Sequence, residues 1–133
     1  MKPLALARAL AVVPTFALMA AASAAPADDA YVYPTDNMRV GESIQLEYPV
    51  LLFTARKCDL PLSGAKVMHF YAAYRDKGVW DTGCWARNLK GEAVIVVPRL
   101  PIRTIPLDAF ARADVQKDGK ATIKALPAPA HAR

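Results

Sequence analysis

The fold of this chain is decided by residues 79–87, which read VWDTGCWAR. Successive side chains of a β-strand point to opposite faces. A strand here would place Trp80 and Cys84 on one face and Trp85 and Arg87 on the other. The alternation therefore predicts a strand in which Trp80 lies on the same face as Cys84 and Trp85 lies on the opposite face.

The chain has one other cysteine, Cys58, too far from Cys84 for a Cys-x-x-Cys redox motif. Residues 1–24 resemble an export leader, as described below, and in an exported domain such a pair usually forms a disulfide. Two free thiols and a metal site are the alternatives, but a metal site needs at least three ligands, and the only histidines are His69 and His131. We expect a structural disulfide that stabilises the fold by roughly 3–4 kcal/mol in the chain-entropy model.

Residues 65–75 have the clearest helical pattern in the chain. Apolar side chains recur at helical spacing and would form one stripe: Val67, Met68, Tyr71, Ala72 and Tyr74. Ser63 is suited to be the N-cap, and Gly78 can adopt the left-handed turn that follows a helix. We predict a helix from Ala65 to Arg75.

The other periodic segments predict strands. Residues 43–55 alternate at first and are interrupted by Pro49, and further short strands are expected at 92–97, 102–107 and 121–126. The predicted fold class is α+β, with one helix packed on a small antiparallel β-meander and a single disulfide. The disulfide would then pin the start of the helix to the sheet.

Residues 1–24 have the three parts of a secretory signal peptide, which are a basic start, an apolar run and small residues at the cleavage point. Cleavage is expected after Ala24, with Ala25 as the alternative. A membrane anchor is the competing interpretation, but the apolar run is shorter than the roughly 20 residues of a spanning helix and contains Pro14. We therefore expect a periplasmic or secreted protein with no membrane span once the leader is removed.

The composition of the residues that follow the leader predicts three parts. These are an extended N-terminal arm over 25–42, a single domain over 43–126 and a mobile tail over 127–133. The net charge of the whole chain is +5, and it falls to +3 without Lys2 and Arg8 of the leader. A charge this small does not indicate a nucleic-acid partner.

Few residues are candidates for catalysis. His69 is the only histidine of the predicted domain and could act as a general base. Its position on the polar side of the predicted helix is more typical of a solvated residue. Neither a phosphate-binding glycine loop nor an EF-hand spacing is present. We expect no enzyme and no cofactor, with a small hydrolase that uses His69 as the less favoured alternative.

Trp85 is the main candidate for binding. It would point away from the buried face of its strand, near four basic residues: Arg87, Lys90, Arg99 and Arg103. An exposed tryptophan with basic neighbours suits a partner protein, an anionic glycan or a phosphate-bearing lipid surface. In the alternative, the N-terminal strand or arm covers Trp85, since tryptophan is usually buried.

These features predict a non-catalytic exported envelope protein that binds another protein, as an inhibitor, an immunity factor or an accessory subunit. The alternative is binding of cell-wall glycan or another anionic envelope polymer through the basic residues.

Four segments of the chain resemble a class of short exported proteins of unknown function from Gram-negative bacteria. The segments are 54–61 (TARKCDLP), 65–75, 83–85 (GCW) and 105–110 (IPLDAF). The resemblance supports the pairing of the cysteines and implies the periplasm as the destination, where the disulfide would form. It implies no activity.

Overall fold

The computed structural model describes residues 3, 10–13, 26–75 and 80–128, and nearly all secondary structure in these residues is antiparallel β-strand. The strands in chain order are β1 Ala27–Tyr33, β2 Ser43–Gln45, β3 Val50–Lys57, β4 His69–Tyr74, β5 Trp80–Arg87, β6 Glu92–Val96, β7 Arg103–Pro106, β8 Ala111–Gln116 and β9 Lys120–Ala125. They form one nine-stranded sheet in the order β2-β9-β8-β1-β3-β4-β5-β6-β7. The helical segments in the described residues are two single 3₁₀ turns, Ala65–Val67 and Leu107–Ala109.

The prediction of an α+β fold is wrong, because most of the predicted helix is β4. This strand lies between β3 and β5, with Ala72 paired to Leu51 on one side and Thr82 on the other. Its sequence, HFYAAY, is rich in the aromatic residues that favour strands. Tyr71, Ala72 and Ala73 are all buried, so both faces of the strand are covered. Its sequence therefore lacks the alternation of polar and apolar residues that is typical of a surface strand. The predicted helix end at Gly78 lies outside the described residues.

The strand predictions agree with the structure more closely. Residues 80–87 of the segment 79–87 form β5, and the segments at 92–97, 102–107 and 121–126 form β6, β7 and β9 within one or two residues. Residues 43–55 divide into β2 and β3 around buried Pro49. The predicted N-terminal arm contains β1, which pairs with both β3 and β8 and is a central strand. The strand β8 was not predicted.

The connection from β7 to β8 shows that the sheet is strongly curled. Five peptide steps join Pro106 to Ala111 and can reach about 18 Å. These strands are six inter-strand spacings apart in the sheet order. A flat sheet would separate them by about 29 Å. The sheet must therefore bend until β7 approaches β8, with Leu107 and Phe110 of the connection buried inside the bend.

Each face of the curled sheet buries its own apolar cluster. We call the side of Leu51 the first face and the side of Leu52 the second face, because neighbouring residues of β3 enter different clusters. The first-face cluster is Ala30, Val32, Leu51, Phe53, Ala72, Ala113, Val115, Ala121 and Ile123. The second-face cluster is Leu52, Tyr71, Ala73, Trp85, Ala93, Ile95, Val97, Leu107 and Phe110. The central strands are thus buried on both sides.

The disulfide between Cys58 and Cys84 is confirmed, with Cα atoms 5.4 Å apart. It ties the loop between β3 and β4 to β5, rather than a helix to the sheet. Both cysteines pack with Ala65 in a separate buried cluster. The Cys58 amide also donates to the Met68 carbonyl at 3.0 Å, which closes the base of the loop.

No helix in the described residues is long and apolar enough to cross a membrane. Most of the predicted leader, and residues 129–133 of the predicted tail, lie outside those residues.

Candidate functional surface

Trp85 does not lie on the surface as the binding hypothesis requires. Its side chain is 4% exposed and belongs to the second-face cluster. The indole Nε1 donates to the Phe53 carbonyl at 3.0 Å. The Tyr31 ring packs edge-on at 5.9 Å between centroids. The N-terminal strand therefore covers Trp85, as in the alternative interpretation, and the indole holds β1, β3 and β5 together.

The four basic residues do not gather around Trp85. Lys90 and Arg99 lie in the turns at opposite ends of β6, a five-residue strand that spans about 17 Å. Arg103 donates to the Tyr71 hydroxyl at 2.7 Å and lies against that ring. Only Arg87 and Lys90 therefore remain together, at the turn between β5 and β6.

This turn is fixed by Asn88. Its Oδ1 accepts hydrogen bonds from the backbone N–H groups of Lys90 at 3.0 Å and Glu92 at 2.9 Å. Its Nδ2 donates to the Glu92 side chain at 3.0 Å. Gly91 has a φ of 79°, a left-handed conformation that costs glycine little. The turn is thus held by one side chain that satisfies two backbone donors at once.

Leu89 is the residue that this turn presents to solvent. Its side chain is fully exposed. A Cβ atom added at Gly91 would lie 3.7 Å from the Arg87 guanidinium, so Arg87 extends along the turn towards Gly91. Lys90 is exposed beside Leu89. We call residues 87–91 the hairpin tip: an apolar side chain between two basic ones, on a fixed backbone.

A cleft of 410 Å³ on the second face begins next to the hairpin tip. Arg87 and His69 line it, and so does Val67, which is 83% exposed on the 3₁₀ turn of the disulfide loop. The other lining residues are Tyr31, Thr54, Trp85, Ala86, Leu107 and Arg112. This end of the sheet therefore exposes two apolar side chains, Val67 and Leu89, around Arg87.

His69 lies in β4 opposite Trp85, and not on a helix. Its ring centroid is 5.7 Å from that of Trp85. The Nδ1 atom is buried and has no hydrogen-bond partner within the described residues. A general base needs an orienting partner. None is found for His69 in the part of the chain that the structure describes.

An ionic cluster borders the cleft on the second face of β1, β8 and β9. Asp29 accepts from Arg112 and, at 2.5 Å, from the Thr54 hydroxyl. Lys124 lies 2.5 Å from the other Asp29 oxygen and 3.0 Å from Asp114. Burial alone would raise the pKa of Asp29, but the hydrogen bonds from Lys124, Thr54 and Arg112 together lower it below 3.8.

Asp29 should therefore make the stability of the protein dependent on acid pH. Its pKa is lower in the folded state than in the unfolded chain, so its stabilising effect is present above about pH 4. This effect should be lost as the pH falls through the lowered value. Urea midpoints measured from about pH 5 to about pH 2 should fall more steeply for the wild-type protein than for Asp29→Asn. Equal slopes would show that Asp29 does not contribute.

Comparison of the chain with protein-family models, with curated proteins and with solved structures finds no match. Within the described residues, no group of three or more His, Cys, Asp or Glu side chains could hold a metal ion. Sequence reasoning named Arg87 and Lys90 of the hairpin tip but missed Leu89 between them. The available signal was Leu89 itself, an apolar residue inside a turn where polar residues and glycine are usual.

Proposed function

We propose that this protein is exported to the cell envelope and binds another protein there through the hairpin tip, as an inhibitor, an immunity factor or an accessory subunit. The observation that carries this proposal is the fully exposed Leu89 on a turn fixed by Asn88. The proposal requires no catalytic step and no cofactor.

The fixed backbone of the tip supports a role in recognition. Single exposed leucines are common on protein surfaces and need no explanation. Leu89 differs because the Asn88 hydrogen bonds already hold its backbone in one conformation. A preorganised turn loses little conformational entropy on binding, so the apolar contact contributes more of its free energy to affinity.

The charges of the tip indicate what kind of partner surface it fits. Arg87 and Lys90 form no ion pair within the described residues. An apolar pocket rimmed by acidic side chains would accept Leu89 and complement these two cations. Such charge complementarity mainly accelerates association and selects the partner.

Export is supported by the leader sequence and by the disulfide. Disulfides form and persist in oxidising compartments such as the periplasm and the extracellular space. The loop closed by Cys58 and Cys84 also carries Val67, so the same bond restrains a second exposed apolar residue near Arg87.

The test is the affinity for a partner recovered from the native envelope. Leu89→Asp should weaken binding by about 2 kcal/mol, or roughly thirtyfold, because it places a charge where an apolar contact is needed. Val40→Asp is the matched control, since Val40 is also exposed (62%) but lies in the loop between β1 and β2. Calorimetric titration of the three proteins gives the comparison. Equal affinities for wild type and Leu89→Asp would refute the role of the tip.

Binding of an anionic envelope polymer is the second candidate, and the two unpaired cations of the tip favour it. In that case retention on purified cell wall should decrease with salt and with Arg87→Gln combined with Lys90→Gln. Leu89→Asp also makes the net charge one unit less positive. In that case it should weaken retention no more than a single Lys→Gln substitution does. A strong effect of Leu89→Ser, which changes no charge, would favour the protein partner.

A further inference from the structure

A second cleft, of 360 Å³, lies on the first face of the sheet, away from the hairpin tip. Its walls are β3 and β4 on one side and the turn between β8 and β9 on the other. The floor is apolar and includes Leu51, Phe53, Phe70, Ala72 and Val115. Pockets of about 300–1,000 Å³ with apolar linings and a few polar groups are typical of small-molecule sites.

Small side chains are frequent in the first-face cluster. Four of its nine buried residues are alanines, Ala30, Ala72, Ala113 and Ala121, and Ala72 lines the cleft. Protein cores are normally packed to the density of organic crystals. A larger side chain in place of Ala72 would fill part of the cleft.

The mouth of the cleft carries unpaired positive charge. The Arg56 guanidinium lies over the Phe70 ring at 4.2 Å and near the Phe53 ring at 5.5 Å. Lys117 lines the cleft on the opposite wall, and Asp28 is the one acidic residue among the described residues of the lining. Neither Arg56 nor Lys117 forms an ion pair within the described residues. A guanidinium stacked on an aromatic ring keeps its N–H edges available for a carboxylate.

We propose that this cleft binds a long-chain carboxylate of the fatty-acid type. Its alkyl chain lies on the apolar floor and its carboxylate pairs with Arg56, with Lys117 adding positive charge across the mouth. Apolar lining and net positive charge together favour an amphiphilic anion over a neutral or cationic ligand. This site shares no residue with the hairpin tip, so it is independent of the proposed function.

Calorimetric titration of the oxidised protein with dodecanoate, below the micellar concentration of dodecanoate, tests the site. We expect saturable binding that Arg56→Gln weakens about tenfold, the effect of losing one charge-assisted hydrogen bond. Thr82→Phe should weaken it at least as much, because the partly buried Thr82 lines the cleft and a larger side chain there would fill it. Lys90→Gln, which removes a cation at the hairpin tip, should leave binding unchanged.

Dodecanol, which has the alkyl chain but no carboxylate, tests the apolar floor separately from Arg56. It should bind more weakly than dodecanoate, with equal affinity for wild type and Arg56→Gln. Circular dichroism melting of Thr82→Phe shows whether that variant is folded; if it is not, the Arg56→Gln comparison decides alone. Absence of dodecanoate binding, or equal affinities of wild type and Arg56→Gln for dodecanoate, would overturn the proposal.

Discussion

Replacing Trp85 by alanine should lower the free energy of unfolding by about 3–5 kcal/mol, the range for removing a large aromatic side chain from a core. Trp85 is 4% exposed and packs against Tyr31 from a distant part of the chain. The substitution leaves a cavity in the second-face cluster. It also leaves the Phe53 carbonyl without the indole donor. The free energy of unfolding of a small domain is only about 5–15 kcal/mol, so this variant should lose a large part of its stability.

Urea denaturation followed by circular dichroism measures this loss. Trp85→Phe is the matched control, because it keeps an aromatic ring and removes the Nε1 donor. It should therefore cost less than Trp85→Ala. A change below about 1 kcal/mol for Trp85→Ala would be typical of an exposed site, and would contradict the buried position of the indole.

Removal of the disulfide should have the next largest effect. The two cysteines are 26 positions apart, and closing a loop of this length stabilises by about 3.5 kcal/mol in the chain-entropy model. The loop between β3 and β4 has no regular structure except one 3₁₀ turn. Without the bond, this loop should separate from the first face of β5. Its exposed Val67 would then lose its fixed position beside Arg87.

The double variant Cys58→Ala/Cys84→Ala tests this against the oxidised wild type in urea. Hydrogen exchange distinguishes local from global loss: the Cys58 and Met68 amides, which are hydrogen-bonded at the base and turn of the loop, should exchange faster. The amides of β8 and β9 should keep their protection under native conditions. Reduced wild-type protein is the control without substitution. An unchanged urea midpoint in both would show that the bond is not a structural element.

The strands could be predicted from sequence where side chains of different character alternate along the segment. The segment 79–87 alternates in this way, which fixed the opposite directions of Cys84 and Trp85, although both are buried. The segment 69–74 does not alternate, because β4 is largely apolar and buried on both faces. Its six residues contain three aromatic rings and two alanines, a run whose spacing fits a helix as well as a strand.

The remaining differences depend on contacts between distant parts of the chain. The polar composition of residues 25–42 indicates an arm, yet β1 is central because β3 and β8 both pair with it. The curl of the sheet follows from the short connection at 107–110, which has no periodic signal of its own. Burial of Trp85 under Tyr31 depends on both features. The basic residues could be named from the sequence, but their separation by the length of β6 could not.

Site-specific photo-crosslinking in the native envelope tests the proposed protein partner most directly. A photoreactive residue at position 89 should yield one defined protein adduct. The same residue at position 40, which is also exposed to solvent but lies outside the hairpin tip, should not yield it. The adduct at position 89 should also disappear when Asn88→Ala removes the hydrogen bonds that fix the turn. No adduct at position 89, or the same adducts at positions 89 and 40, would contradict a partner-binding role for this turn.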